Sequence, residues 1–321
     1  MRSDKTNPQL VRWERFLGLF RERISQRGEA RPTVRYWKSA QLTNLIQELR
    51  IQYRAELRTT FPPGNAVIGR LEKIGWIKPV PIIWSKAVTQ IMYRISLDDT
   101  AEVAIDPLEL LQGYAPKGVL CYFGALRYHE LTTQIPRFYH IAKMRTGALP
   151  DAAKDHPSLT PLNPVEKPYN PMGTEIFIME DTVFYETSRY PALVPGTQVR
   201  LLTSRIGLRI TDLEQTLLDT LTHPLQCGGS AVVFEAWERA LEQIDPARLC
   251  LHLESINQLT LWRRVATMLS VLAPSNDDPA LASVSEKART AMAGQPDQEL
   301  IALLPDHPFV EINADWRVLI P

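Results

Sequence analysis

The sequence predicts an α+β protein of two domains, and three observations lead there. The 36 Lys/Arg and 36 Asp/Glu of the 321-residue chain are segregated. Residues 1–94 carry 18 Lys/Arg against 7 Asp/Glu, a net of +11, and residues 95–321 carry 18 against 29, a net of −11. Opposed charge in two parts of one chain points to two domains with different partners. Segments of helical periodicity and β-prone runs both recur along the chain. At 45% hydrophobic residues the chain can also bury two cores, since single cores stop growing near about 250–300 residues.

Taking the elements in order, residues 9–27 place Leu10, Trp13, Phe16, Leu17, Phe20 and Ile24 at helical spacing, with arginines opposite and Gly28 as the stop. Thr33–Trp37 is β-prone. Ser39 is the expected N-cap of a helix through Arg58, with Leu42, Leu45, Ile46, Leu49, Tyr53 and Leu57 as its apolar face. Arg50, Arg54 and Arg58 recur every four residues and so stack along one side of that helix. Phe61-Pro62-Pro63-Gly64 breaks the chain. A short helix then turns Val67, Ile68, Leu71 and Ile74 inward, leaves Asn65, Arg70 and Lys73 outward, and ends at Gly75. Two strand-like runs follow, joined through Ser85-Lys86-Ala87. Helix, strand, two helices and a β-hairpin are the order of a winged helix-turn-helix, expected over residues 1–97. In that fold the last helix enters the major groove and the hairpin wing touches the backbone.

Asp98, Asp99, Glu102 and Asp106 read as an acidic linker, and residues 98–321 as a mixed α+β domain opening with the helix PLELLQGY. A helix is expected from Lys117, then a strand at QIPRFYHIAKM. Six prolines between residues 145 and 173 mark a long loop. Strands TEIFIME, TVFYET, VRLLTS and GLRITD follow, and Thr211 or Asp212 caps the next helix. Cys227-Gly228-Gly229-Ser230 is a turn, the chain is expected to run helical through about residue 304, and FVEINADWRVLIP closes it as a strand.

Several classes are disfavoured. No apolar run reaches the roughly 20 residues of a membrane span, and the first residues carry no apolar signal region. Cys121, Cys227 and Cys250 lack metal-type spacing, so a cytoplasmic protein without disulfides is expected. The six histidines show no i, i+4 pairing for a metal, and no P-loop or G-x-G-x-x-G marks a nucleotide site. His129 reads as a core or interface histidine, and Cys227 as part of a glycine turn. Of the carboxylates Asp212, Glu214 and Asp219, the first reads as a cap and the others as helix surface or salt-bridge partners. The expectation is no enzyme, no catalytic residue, no cofactor and no metal.

The second domain carries a resemblance. GVLCYFGALRYHELTTQIPRFYHIA (118–142) resembles the "SAL-x-x-H-G-L-T-x-Q-I-P" stretch of the AbiEi family, and GLRITDLEQTLLDTLTHPLQCGG (207–229) resembles its "tdlERTLLDal-x-x-P-x-x-CGG" signature. The ending DWRVLIP is also similar. Gln215 stands where the family commonly has Arg, and Glu130 where Gly follows the His. The resemblance implies an antitoxin of a type IV toxin–antitoxin, phage-defence pair. It implies a winged-helix protein that represses its own operon and counteracts a nucleotidyltransferase-like toxin, often without stable contact. The expected partners are therefore operator DNA, read by a homodimer where the sites are inverted repeats, and that toxin. The rival reading is a protein that neutralises its partner by direct contact, with the basic domain on RNA or protein.

For DNA, Arg50, Arg54 and Arg58 are expected to neutralise successive phosphates. Asn65, Arg70 and Lys73 are the groove candidates, because Asn suits adenine edges and Arg guanine. Lys78 and Lys86 belong to the wing and are expected on backbone.

Overall fold

The computed structural model describes residues 8–25, 34–57, 61–84, 88–97, 104–147, 172–203, 206–273, 279–293, 299–305 and 307–321. The chain divides into two compact units: residues 1–116 with 201–208, and residues 117–200 with 209–321.

In the first unit, α1 (Pro8–Ser25) buries Trp13, Phe16, Leu19 and Phe20. Leu10, expected on that face, is exposed, because it lies in the opening turn of the helix, ahead of its packed part. β1 (Tyr36–Lys38) leads directly into α2 (Ser39–Gln52). Lys38, not Ser39, occupies the N-cap, and its N–H is taken by the Gln41 side chain at 2.7 Å. The single helix expected through Arg58 is broken at Tyr53 (φ −108°, ψ 34°). A separate turn, α3 (Arg54–Leu57), follows and delivers a fully buried Leu57 to the core.

Helix α4 (Gly64–Lys73) faces inward through Val67, Ile68 and Leu71. It ends in a Schellman motif: Trp76 N–H donates to Leu71 O, Gly75 N–H donates to Glu72 O, and Gly75 takes φ +77°. Ile74, expected inward, sits at the C-cap and is exposed. β2 (Ile77–Trp84) and β3 (Val88–Ile95) form an antiparallel hairpin in register from Ile77↔Ile95 to Trp84↔Val88, and β1 adds to β3.

Helix α5 (Pro107–Tyr114), expected to open the second domain, belongs to this unit instead. Arg35 grips both Glu109 oxygens (3.1 and 2.7 Å), and its N–H donates to Glu109 Oε1 at 2.6 Å. Gly113 lies so close to β1 that a Cβ there would stand 2.2 Å from Tyr36 O. The unit therefore reaches Pro116 rather than ending at residue 97. Asp106, read as linker, caps α5 by accepting the Glu109 N–H; residues 98–103 lie outside the described residues.

The second unit is built on strands of order β6-β7-β5-β4-β9-β8, namely β4 (Val119–Cys121), β5 (Phe138–Met144), β6 (Thr174–Met179), β7 (Thr182–Arg189), β8 (Thr197–Leu201) and β9 (Gly207–Thr211), of which Leu201, Gly207 and Leu208 are counted with the first unit. Strands β4 and β9, and β5 and β7, run parallel; β4–β5 and β6–β7 run antiparallel. The helix expected from Lys117 is instead β4 followed by α6 (Phe123–Tyr128). Tyr122, at φ 58° and ψ −133°, turns the chain sharply between them. Most of the proline-rich loop expected over 145–173 lies outside the described residues.

Helices α7 (Leu213–Thr222), α8 (Ser230–Ala240), α9 (Pro246–Ile256), α10 (Leu259–Leu272) and α11 (Pro279–Met292) complete the core around a fully buried Trp237, whose Nε1 donates to Thr220 at 2.9 Å. Gly228 and Gly229 both take positive φ in the turn before α8. The helical run stops at Met292, short of residue 304. β10 (Ile301–Ala302), β11 (Glu311–Asn313) and β12 (Val318–Ile320) then make a small sheet held by Arg263 and Arg264 of α10. Arg263 Nε donates to Trp316 O and Arg264 Nε to Ala302 O, both at 2.9 Å. Cys121, Cys227 and Cys250 are buried and free. No described helix is long and apolar enough to cross a membrane.

Candidate nucleic-acid interface

The basic unit presents α4 on a packed base. Its buried side meets α2 closely enough that a Cβ on Gly64 would lie 3.1 Å from Thr43 Cγ2. With Val67, Ile68 and Leu71 facing the core, Asn65, Arg70 and Lys73 are exposed. The structure thus brings these three together on the outer surface of one helix. The Arg70 guanidinium lies over the ring of Trp13, 4.6 Å from its centroid, a cation–π contact that restrains an otherwise free side chain. Glu72, the acid of α4, hydrogen-bonds with Tyr93 of β3, and burial followed by Glu72 raises the Tyr93 pKa.

The arginine stripe is not continuous. Arg50 is half-buried, and its guanidinium donates to Gln47 Oε1 (3.1 Å) and Phe61 O (3.2 Å), tying α2 to the segment before α4. Arg54 is exposed but stands beyond the break at Tyr53. Lys78 is half-buried on β2. Arg58 and Lys86 lie outside the described residues.

Charge pairing separates the cations further. On α1, Arg15 pairs with Glu56 and Arg23 with Glu48 (3.5 Å), so part of the net +11 is compensated within the unit. Arg54, Arg70, Lys73 and Lys78 make no ion pair with a described carboxylate. Sequence reading missed this sorting, because the partners are 25 or more positions apart and come together only when α1 packs on α2 and α3.

A second concentration of chemistry lies in the other unit. Asp219 and Glu214, expected on the helix surface or as salt-bridge partners, are both ion-paired, with Arg189 and Arg248 respectively. Both are buried, because α6, α8, α9 and α10 pack around α7. Asp219 accepts two 2.6 Å hydrogen bonds from Arg189 and one from Gln215 Nε2 at 2.9 Å. Burial works against the Arg189 charge, and Asp219 chiefly offsets it, so the guanidinium pKa stands above its ordinary value. Burial also pushes the neighbouring Tyr122, Cys121 and Cys227 groups up, which makes both cysteines poor nucleophiles.

Asp212 caps α7 through the Gln215 N–H, as expected, and meets His252 of α9 at 2.8 Å. Burial raises the Asp212 pKa, but the His252 bond and the cap outweigh it, so the net shift is downward. His129 is half-buried, its Nε2 2.8 Å from Thr211 O, with its pKa lowered by burial. His140 is deeply buried with its pKa lowered by burial to about 4. Its Nε2 faces Met172 O at 2.9 Å, so Nε2 carries the proton and Nδ1 is an acceptor.

No family model and no curated protein matches the chain. Among solved structures, it is similar to the RV2827C protein from Mycobacterium tuberculosis, with a TM-score of 0.51 and 14% identity over 97% of this chain and 91% of that one. At that identity the likeness is one of fold, and it accords with the mixed α+β class.

Proposed function

We propose that the chain is a DNA-binding transcriptional autorepressor and AbiEi-like antitoxin acting in the cytoplasm. The N-terminal unit serves as a winged helix, with α4 as recognition helix and the β2–β3 hairpin as wing. The observation that carries this reading is the outer face of α4. Asn65, Arg70 and Lys73 stand exposed there, the two cations without an ion pair to a described carboxylate, immediately before a hairpin and within residues 1–94, which hold the net +11. A surface of that kind attracts phosphate backbone and offers Asn and Arg to base edges. Arg54 and Lys78 flank it as backbone contacts. The antitoxin half, set against a nucleotidyltransferase-like toxin, rests on the motif resemblance in the second unit, and a homodimer suits an operator of inverted repeats.

The test is fluorescence anisotropy with the chain's own upstream DNA against a scrambled duplex at 50 and 200 mM salt. With about six phosphates neutralised, log affinity falls against log salt with a slope near −5, and the upstream duplex binds more tightly. Arg54→Ala flattens that slope by about one for every sequence, whereas Asn65→Ala erodes the preference between duplexes. Indiscriminate or salt-insensitive binding refutes the operator reading. The antitoxin half is tested by co-expressing the full chain with an adjacent nucleotidyltransferase-like gene; absence of growth rescue refutes it.

A further inference from the structure

We propose that Asp212, Glu214 and His252 form a binding site for one divalent transition-metal ion of the Zn²⁺ type, independent of the DNA-binding reading. One ligand atom from each of the three buried residues lies within 4.8 Å of the others. The set joins the N-terminal end of α7 to α9, through residues that sequence spacing does not associate.

Each carboxylate is anchored by one oxygen and offers the other. Asp212 Oδ1 accepts the Gln215 N–H at 2.8 Å, which leaves Oδ2 toward His252 Nε2. Glu214 Oε1 accepts the Asp245 N–H at 3.0 Å, and its Oε2 is buried with no hydrogen-bond partner. The ion pair to that oxygen is a long one. Arg248 Nη1 stands 3.5 Å away on a half-exposed side chain that also reaches Asp245 at 3.6 Å. A buried carboxylate oxygen without a donor is costly, and a bound cation satisfies it. Gly196 backs the cluster: a Cβ there would lie 2.3 Å from Asp212 Oδ1 and 2.6 Å from His252 Nε2.

The donor set decides the class of ion. One imidazole nitrogen with two carboxylate oxygens suits Zn²⁺ and its neighbours better than Ca²⁺ or Mg²⁺, which prefer oxygen alone. The two carboxylates offset both the ion's charge and the positive end of α7. Anchoring by backbone N–H groups supplies the outer support that metal ligands commonly have. Side-chain exposures of 10% for Asp212 and 11% for His252 leave a way in, past the Arg248 side chain. Ligation through Nε2 replaces the 2.8 Å contact with Asp212 Oδ2, and a neutral ring then carries its proton on Nδ1.

The full chain, freed of metal by chelation, is titrated with ZnCl₂ by calorimetry and with Co²⁺ by absorption. The expected result is one ion per chain and Co²⁺ visible bands without thiolate charge transfer. Glu214→Gln keeps an acceptor for Asp245, and His252→Gln keeps a donor for Asp212. Each is expected to weaken binding by more than about 100-fold, beyond the usual cost of losing an outer-shell partner. No saturable uptake by the unsubstituted chain, unchanged uptake in folded variants, or thiolate bands would overturn the proposal. The Co²⁺ spectrum of the unsubstituted chain decides the matter even where a variant fails to fold.

Discussion

Replacing Asp219 with Ala strands the Arg189 guanidinium in the interior of the second unit. The two side chains are only 8% and 1% exposed, and they share two hydrogen bonds of 2.6 Å. Gln215 adds a third contact to the carboxylate. Removing one partner of such a buried pair costs about 3–5 kcal/mol, because the remaining charge stays desolvated without compensation. For a unit of this size each kcal/mol moves Tm by about 2–4 °C, so Asp219→Ala lowers the melting of the second unit by roughly 6–20 °C. Replacing both residues with Leu removes the stranded charge. The double variant is therefore less destabilised than the sum of Asp219→Leu and Arg189→Leu, with a coupling of about 1–3 kcal/mol. Urea unfolding at pH 7, followed by the summed fluorescence of the seven tryptophans, measures all four corners of the cycle. A cost under about 1 kcal/mol for Asp219→Ala, or strict additivity in the double variant, refutes the reasoning.

Three further outcomes are expected. His140 is held neutral with a pKa of about 4 against an ordinary 6.5, so the unfolded chain binds its proton first as pH falls. Stability is then lost between about pH 6.5 and 4, by up to about 3 kcal/mol; unfolding measured across that range in the unsubstituted chain and in His140→Gln checks this, the variant showing the shallower decline. Glu130 holds φ +60° in the Schellman turn that ends α6, where Leu131 N–H donates to Leu126 O. Glu130→Gly should raise stability by roughly 0.5–1 kcal/mol, read as a higher urea midpoint at unchanged m. Gly113→Ala drives a methyl into Tyr36 O and should cost about 1–3 kcal/mol or more in the first unit; an unchanged melting transition would mean that α5 does not pack on β1 as described.

Local signals were legible wherever one short segment contained the whole cause. Gly75 follows a run of helical periodicity, and the left-handed Schellman position needs no partner beyond the turn itself. Asp212 caps α7 for the same reason: its acceptor and the Gln215 N–H are three residues apart. The apolar faces of α2 and α4 and the two strands of the hairpin were equally readable, since period and turn residues act within about ten positions.

Tyr122 shows where that ended. An apolar run from Gly118 to Leu126 suits a buried strand or a buried helix, and only pairing of β4 with β5 and β9 selects the strand. The candidate sites divide in the same way. The sequence by itself determined the two opposed charges, the outward placement of Asn65, Arg70 and Lys73, and the helix cap at Asp212. Tertiary structure alone decided that Arg15 and Arg23 are compensated while Arg70 rests on Trp13, that Glu109 carries α5 into the first unit, and that Asp219 and Glu214 are buried. It also brought His252 to Asp212 across 40 positions. The physical reason is common to all of these: burial and ion pairing depend on which faces pack together, and a partner distant in the chain leaves no trace in local periodicity.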